Sequence, residues 1–374
     1  IRGFLTSGLP KLAVDADPSY SPTTPAARGF RDPPLGCAAT HRRLQPFPLF
    51  RLPPLTFPML PAPSTTRHPR LAYPDAFKLL AMVGVIIAHL PPSRFSGGAW
   101  SSIEWAQGLT GWCVLGFFAV AGMLFHSGDL RPLIPELQKR AKRLLIPWLA
   151  FTIFYKVAIT GLAVAGIVQQ VPLPPTNLAG FVSWVLVPAS PQLYFLLYLF
   201  AIQMVCLIIV RPGVCLSLAA GVVALVAWVA LASPSAKGWT VLHGSAWSLV
   251  PLYFACFAAA AWAGRFAWRL LVVAGLFMAA AAWMLLAGCA LIVAWQLVAP
   301  WLLLVLLQAV DFAAPVKGMA WLGRLSGGVY VWHAPLVLGF VAIACIKMLG
   351  AGVTSVLCTV VLTFAVAALL GSLV

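Results

Sequence analysis

The chain has 374 residues, of which 62% are hydrophobic and 9% charged, and its mean hydropathy is +0.97. Because a soluble domain carries roughly 25% charged residues, this composition excludes a soluble globular protein. The long apolar runs also lack the alternation of polar and apolar residues that a membrane β-barrel requires. We therefore predict an all-α integral membrane protein.

Residues 1–70 differ in composition from the rest of the chain. They contain 14 of the 31 prolines, nine Lys or Arg and three Asp, and no apolar run long enough to span a membrane. Such a segment buries too little apolar surface to offset the entropy lost on ordering. We expect a disordered Pro- and Arg-rich segment here, followed by a transmembrane domain over 71–374. Because the first methionine is Met59, we also expect natural translation to start near it.

Apolar runs between turn residues and charges predict ten transmembrane helices. The predicted spans are 74–91, 108–126, 144–168, 191–210, 214–232, 246–264, 267–286, 288–310, 320–345 and 352–374. With the N-terminus in the cytoplasm, ten Lys or Arg fall in inner loops and three in outer loops. The inner set is Arg131, Lys139, Arg140, Lys142, Arg143, Arg211, Arg265, Arg269, Lys317 and Arg324, and the outer set is Arg94, Lys237 and Lys347. Since Lys and Arg accumulate in cytoplasmic loops, this bias predicts a cytoplasmic N-terminus.

The formal net charge of +16 has the same explanation. In a soluble protein it would indicate nucleic acid binding, but here it follows from the inner loops, so membrane lipids and not nucleic acid are the expected partners. The eight cysteines form no C-x-x-C pair and show no metal spacing, which favours packing in apolar segments. No metal and no permanently bound cofactor are expected.

The first predicted helix carries two ionisable residues, Lys78 and His89. Their separation turns an α-helix through about 1100°, three turns plus about 20°, so both lie on one face about 16 Å apart along the axis. Asp75, one turn earlier, can hold Lys78 as an ion pair. Each residue alone also fits an interfacial position, but together they favour an internal polar path. Because a neutral imidazole can take a proton from an alcohol, His89 is a candidate general base.

Four further motifs follow in chain order. The second helix ends with a phenylalanine pair in "GFFAVAGMLF", and "KRAKRLLIPW" places Arg140 and Arg143 before the predicted third helix. The fourth helix opens with "PQLYFLLYLF". The ninth carries "LGRLSGGVYVWHAPL", with Ser326, Tyr330 and His333.

With these five motifs, residues 73–374 resemble the acyltransferase 3 family of membrane proteins, which O-acylate sugars. One departure is Ala121, which precedes Gly122 where the family has Ser. The resemblance implies a multi-pass protein of the inner (plasma) membrane that uses acyl-CoA, above all acetyl-CoA, as a co-substrate from the cytoplasm. It also implies a hydroxyl of a glycan or lipid-linked sugar as the acceptor.

The resemblance implies that the cationic residues of the motifs bind the acyl-CoA donor. Arg140 and Arg143 are three residues apart, on one helical face, and suit a clamp for the phosphates of CoA, while Lys78 continues the binding track. Ordinary positive charge of the inner loops is the alternative explanation for both arginines.

The remaining candidates have two interpretations each. His333 can pair with His89 or line the donor tunnel, or it can be a packed histidine. Tyr330 and Ser326 are assigned to CoA contact, although small-residue packing also explains Ser326. Glu104, in the first outer loop, can orient His89 or bind a sugar hydroxyl, or it can be a solvated loop charge.

Two other functions fit the composition. A polytopic transporter of a sugar-lipid or small metabolite is compatible with ten spans and intramembrane charges, and a non-catalytic membrane scaffold is a third possibility. Consumption of acetyl-CoA separates the acyltransferase from both.

Overall fold

The computed structural model describes residues 71–95, 98–125, 133–166, 191–210, 214–231, 249–311 and 313–373, with the single positions 177, 180 and 184. All of them belong to one compact unit. The described chain is helical and contains no strand, which confirms the all-α prediction. The predicted disordered segment 1–70 and the start near Met59 lie outside the described residues.

The helices are numbered here in chain order. They are α1 Tyr73–Ala88, α2 Gly98–Thr110, α3 Trp112–Met123, α4 Leu133–Val164, α5 Tyr194–Val210, α6 Val214–Leu231, α7 Val250–Ala263, α8 Ala267–Leu286, α9 Leu291–Ala309, α10 Ala314–Gly323, α11 Ser326–Trp332, α12 Leu338–Leu349 and α13 Val353–Ser372. A π-helical turn, His333–Val337, joins α11 to α12, and a 3-10 turn, Pro191–Leu193, precedes α5.

Six described segments are long and apolar enough to cross a membrane. They are Ser102–Met123, Leu133–Val164, Ala267–Leu286, Leu291–Ala309, Ser326–Leu349 and Val353–Ser372. The shorter apolar helices are Tyr194–Ile208, Cys215–Leu231 and Val250–Ala263. Each predicted span overlaps a helix of the described chain, and the six long segments make this a multi-pass membrane protein.

Two helices extend further than the apolar pattern predicted. The third predicted span starts at 144, whereas α4 starts at Leu133, so Arg140 and Arg143 lie inside a helix and not before one. Likewise α2 starts at Gly98 and includes Glu104, which the sequence placed in a loop. The reason is the same in both cases. A span predicted from apolar residues ends at the first polar stretch, whereas the backbone hydrogen bonds of the helix continue through that stretch.

α1 lies in the interior of the bundle, against α2, α3, α9, α10, α11 and α13. Glycines let α1 and α3 approach closely. A Cβ on Gly84 would strike the Cys113 sulfur, and a Cβ on Gly116 would lie 2.5 Å from Phe77 Cζ. Because residue 77 faces 116 while 84 faces 113, α3 runs antiparallel to α1. The Lys78 end of α1 is therefore level with the C-terminal end of α3.

The path from α11 to α12 is broken at Pro335. Proline has no N–H and disfavours the helical conformation in the residue before it, and Ala334 accordingly has φ −133° and ψ 155°. The break leaves backbone carbonyls without their helical donors next to His333.

Candidate active site

The structure brings His89 and His333 together. Their ring centroids are 5.3 Å apart and the ring planes meet at 80°, edge to face. His89 lies at the C-terminal cap of α1 and is partly exposed, whereas His333, at the end of α11, is fully buried. His89 is therefore the more accessible of the two residues, and His333 lies in the protein interior.

Both imidazoles are held in the same orientation relative to their own backbone. Nδ1 of His89 donates to the Val85 carbonyl at 2.8 Å, and Nδ1 of His333 donates to the Tyr330 carbonyl at 2.8 Å. A carbonyl oxygen can only accept, so the proton of each neutral ring sits on Nδ1 and Nε2 keeps its lone pair. Nε2 of His333 is buried without a hydrogen-bond partner among the described residues. Two basic nitrogens are thus available at this site.

Polar side chains satisfy the carbonyls that Pro335 leaves without donors. In a regular helix the Val331 carbonyl would accept from the N–H of residue 335, which proline lacks. The Tyr155 hydroxyl of α4 donates to that carbonyl, and the Gln192 amide donates to the Ala334 carbonyl. These bonds hold the broken segment around His333 in one geometry.

The C-terminal end of α1 is built on the same principle. Pro91 and Pro92 end the helix and supply no N–H to the carbonyls one turn before them. The Gln107 amide of α2 donates to the Ala88 carbonyl at 3.3 Å and to the Leu90 carbonyl at 2.8 Å. Both histidines therefore sit on a helix end made by proline and held by a side chain of another element.

The sequence motifs meet around this pair. Tyr330 donates its hydroxyl proton to the Gln192 carbonyl, and its ring centroid is 5.9 Å from that of His333. Phe195 of α5 is 5.1 Å from Tyr330 and 4.8 Å from Phe118 of the phenylalanine pair. Four motifs that are far apart in sequence, on α1, α3, α5 and α11, therefore share one aromatic cluster.

The charged candidates lie at the other end of α1. Lys78 forms an ion pair with Asp75 at 2.9 Å, and Arg324 lies 4.0 Å from the same buried carboxylate. A Cβ on Gly323 would strike the Asp75 carbonyl oxygen, so glycine lets α10 lie against this turn. The predicted ion pair of Asp75 with Lys78 is present.

The two arginines of α4 differ in environment. Arg140 pairs with the buried Glu136 at 2.8 Å, donates to Gln203 Oε1 at 3.1 Å and lies over the Phe125 ring. Arg143 is exposed. Because α3 runs antiparallel to α1, Phe125 places Arg140 at the Lys78 end of the bundle. We call the set Asp75, Lys78, Arg140, Arg143 and Arg324 the charged end, and the set His89, His333, Gln107, Gln192 and Tyr155 the histidine end.

Glu104 and Ser326 lie on opposite sides of this arrangement. Glu104 is exposed on α2 and lines a cavity of about 430 Å³ together with Ala88, the residue before His89. Ser326 is buried in the first turn of α11, two residues after Arg324. Among the described residues that line this cavity, Ala88 represents the end of α1, and His89, His333 and Lys78 are not part of the wall.

Sequence reasoning missed the residues that position the histidines, above all Gln107, Gln192 and Tyr155. The signal for them is a shared pattern. Both histidines occur as His-x-Pro, in "HLP" and "HAP", and a proline at this spacing removes a backbone donor that another group must replace. Lys156 was also missed. It is buried on α4, with its ammonium nitrogen 4.3 Å from the centroid of the Trp184 ring.

Comparison with known proteins identifies the family. A family model described as an acyltransferase domain (Acyl_transf_3) matches residues 71–372. The chain belongs to this acyltransferase family, which confirms the resemblance seen in the motifs, and with its long apolar helices it is a membrane acyltransferase. No curated protein matches the chain, and no solved structure does.

Proposed function

We propose that the protein transfers an acetyl group from acetyl-CoA to a hydroxyl of a sugar in a cell-surface glycan or a lipid-linked precursor. In this proposal it lies in the inner (plasma) membrane with its N-terminus in the cytoplasm, so that the charged end meets the coenzyme. The observation that supports the proposal most is the pair of adjacent imidazoles, His89 and His333, each with Nδ1 donating to a carbonyl.

The charged end suits the phosphates of CoA, because cations bind phosphate through charge-assisted hydrogen bonds. Arg143 is exposed, and we assign it to direct phosphate contact. Arg140 is engaged by Glu136 and Gln203, so it positions this surface and adds positive charge to it. Lys78 continues the track, and its distance of about 16 Å from His89 along α1 is within reach of an extended pantetheine arm.

The reaction requires a base at the far end of that arm. Nε2 of His89 removes the proton of the acceptor hydroxyl while the oxygen attacks the thioester carbonyl carbon. The carbon–sulfur bond breaks, the CoA thiolate leaves, and the imidazolium returns the proton to the sulfur. His333 stabilises that imidazolium, since its Nε2 lone pair is unused among the described residues and its ring is adjacent.

We assign two further residues, Tyr330 and Ser326, to contact with the pantetheine arm of CoA. The Tyr330 hydroxyl proton is used on the Gln192 carbonyl, so Tyr330 offers its ring and its oxygen lone pairs to the pantetheine arm. Ser326, in the first turn of the same helix, lies between the charged end and His333 along the chain and offers a hydroxyl to the arm.

The test uses purified protein in lipid nanodiscs with acetyl-CoA and a mixture of neutral oligosaccharides. Free thiol and acetylated sugar are measured together, and we expect one acetyl ester for each CoA released. His89→Asn keeps an amide N–H that can donate to the Val85 carbonyl but has no base. It should lower the transfer rate at least about 100-fold and leave thermal unfolding unchanged.

Two results would contradict the proposal. One is transfer by His89→Asn at the wild-type rate. The other is movement of sugar across a vesicle membrane with no acetyl ester formed, which would favour the transporter.

A further inference from the structure

One face of α2 forms part of the wall of the cavity that borders Ala88. Glu104, Gln107, Gly108 and Gly111 all line it, and their spacing of three, four and seven residues places them on the same side of a helix. A Cβ on Gly111 would strike the Gln296 amide, so glycine at this position lets the Gln296 side chain approach α2 closely.

The cavity is suited in size and position to the acceptor. Its volume of about 430 Å³ falls within the range of roughly 300–1,000 Å³ that is typical of small-molecule sites. It borders Ala88, and Gln107 on its wall holds the carbonyls on either side of His89. A ring bound here is next to the turn that carries the base.

Three polar groups of this cavity offer hydrogen-bond acceptors: the amide oxygens of Gln107 and Gln296 and the carboxylate of Glu104. The amide nitrogens of Gln107 and Gln296 donate to the Leu90 and Gly108 carbonyls, at 2.8 Å and 2.9 Å. These bonds orient the two side chains, whose amide oxygens can only accept. An ionised Glu104 is also an acceptor only. Such a wall fits a ligand rich in donors, namely hydroxyl or ammonium groups.

The charge of the cavity wall also favours particular ligands. Among the described residues that line it, Glu104 carries the single charge. Tyr253 adds an aromatic wall, held by stacking on Phe118 with centroids 4.6 Å apart. An anionic ring would meet a like charge here, with no described cation of the wall to offset it.

Resting on the proposed function, we infer that this cavity binds the acceptor and selects neutral or amino-bearing sugar rings against anionic ones, with Glu104 as the selecting residue. Glu104 then determines specificity and takes no proton from the substrate. Like charges a few ångströms apart in a partly exposed site lower affinity by about ten-fold, which sets the size of the expected discrimination.

The experiment measures binding without acetyl-CoA. Ligand-observed NMR titrations on protein in nanodiscs compare methyl glucoside, methyl glucosaminide and methyl glucuronide, which share one ring and differ in charge. We expect the glucuronide to bind about ten-fold more weakly than the glucoside. Glu104→Gln should bring this ratio below about two-fold, and Glu104→Asp should preserve it, because the charge decides the ratio.

A charge change at a residue that does not line the cavity provides the matched control. Thr354→Lys alters the net charge in the same direction as Glu104→Gln, at an exposed position in the first turn of α13, and should leave the ratio at the wild-type value. Equal binding of glucoside and glucuronide by the wild type would overturn the inference. An unchanged ratio in Glu104→Gln, or no binding of any ring, would do the same.

The two proposals fail separately. If the wild type releases CoA and acetylates sugar but binds the three rings equally, the inference about Glu104 is wrong and the proposed function stands. If the rings are discriminated by charge but no acetyl ester forms from acetyl-CoA, the cavity remains a sugar site and the proposed function is wrong.

Discussion

The two ends of α1 hold their polar groups in different ways. At the charged end the contacts are ionic, with Lys78 on Asp75 at 2.9 Å and Arg140 on Glu136 at 2.8 Å. At the histidine end, neutral donors hold backbone carbonyls, as Tyr155 does on Val331. The first arrangement keeps cations in place beside partly open surface, and the second fixes backbone geometry without adding charge.

This difference has a chemical reason. A carboxylate beside an imidazole favours the protonated ring, which cannot act as a base. Backbone carbonyls orient His89 and His333 with a much weaker effect of this kind, so Nε2 stays available. The charged end has the opposite requirement, since phosphate recognition requires cations that stay ionised. We infer that one end holds the donor and the other performs the proton transfer.

Among the residues that support His89, the largest effect on the transfer rate is expected at the second imidazole, His333. His333→Asn keeps an amide N–H for the Tyr330 carbonyl but removes the lone pair beside His89. We expect kcat to fall about 10- to 100-fold, since a stabiliser of the developing charge is lost, while the KM for acetyl-CoA changes by less than about two-fold. A variant with the wild-type kcat would show that His333 is a packed histidine.

The hydrogen bonds around the Pro335 break should contribute to stability. Gln192→Ala leaves the buried Ala334 carbonyl without its amide donor, and we expect the free energy of unfolding to fall by about 1–3 kcal/mol. Gln308→Ala is the control. It removes an exposed bond of 3.2 Å to the Arg265 carbonyl and should change the free energy by less than about 0.5 kcal/mol.

The measurement for this pair is unfolding in mixed micelles, followed by circular dichroism. Equal decreases of the free energy of unfolding in Gln192→Ala and Gln308→Ala would contradict the view that the segment around His333 depends on its side-chain donors.

A smaller effect is expected at the charged end. Arg143→Gln should raise the KM for acetyl-CoA about three- to ten-fold with kcat unchanged, because an exposed cation contributes modestly to phosphate binding. Lys347→Gln removes an equal charge at the C-terminal end of α12, towards the opposite end of the bundle, and should leave KM unchanged. The same shift in both variants would indicate a general charge effect and no phosphate contact at Arg143.

Most of the fold could be predicted from hydropathy, because burial in lipid demands apolar runs of a known length. What it could not predict is helix that continues through polar sequence. The residues Leu133 to Arg143 of α4 and the first half of α2 are helical, although their composition is that of a loop. Whether the bundle crosses the membrane ten times and keeps its N-terminus in the cytoplasm stays a prediction.

The site was predictable in its residues and less so in its geometry. Helical spacing placed Lys78 and His89 on one face of α1, and the motifs named His333 and Tyr330. The supporting bonds could not be predicted, since Gln192 and Ala334 are 142 positions apart and nothing local pairs them. The environment of Arg140 could not be predicted either, because it depends on a hydrogen bond to Gln203 of another helix.

Chemical rescue of His89→Gly is the most direct test that His89 is the base. Glycine at this position removes the imidazole and leaves a space of the size of that ring next to His333. We expect this variant to transfer no acetyl group from acetyl-CoA to sugar, and added imidazole to restore transfer in proportion to its concentration. Transfer by His89→Gly at the wild-type rate without imidazole would contradict the assignment of His89 as the base.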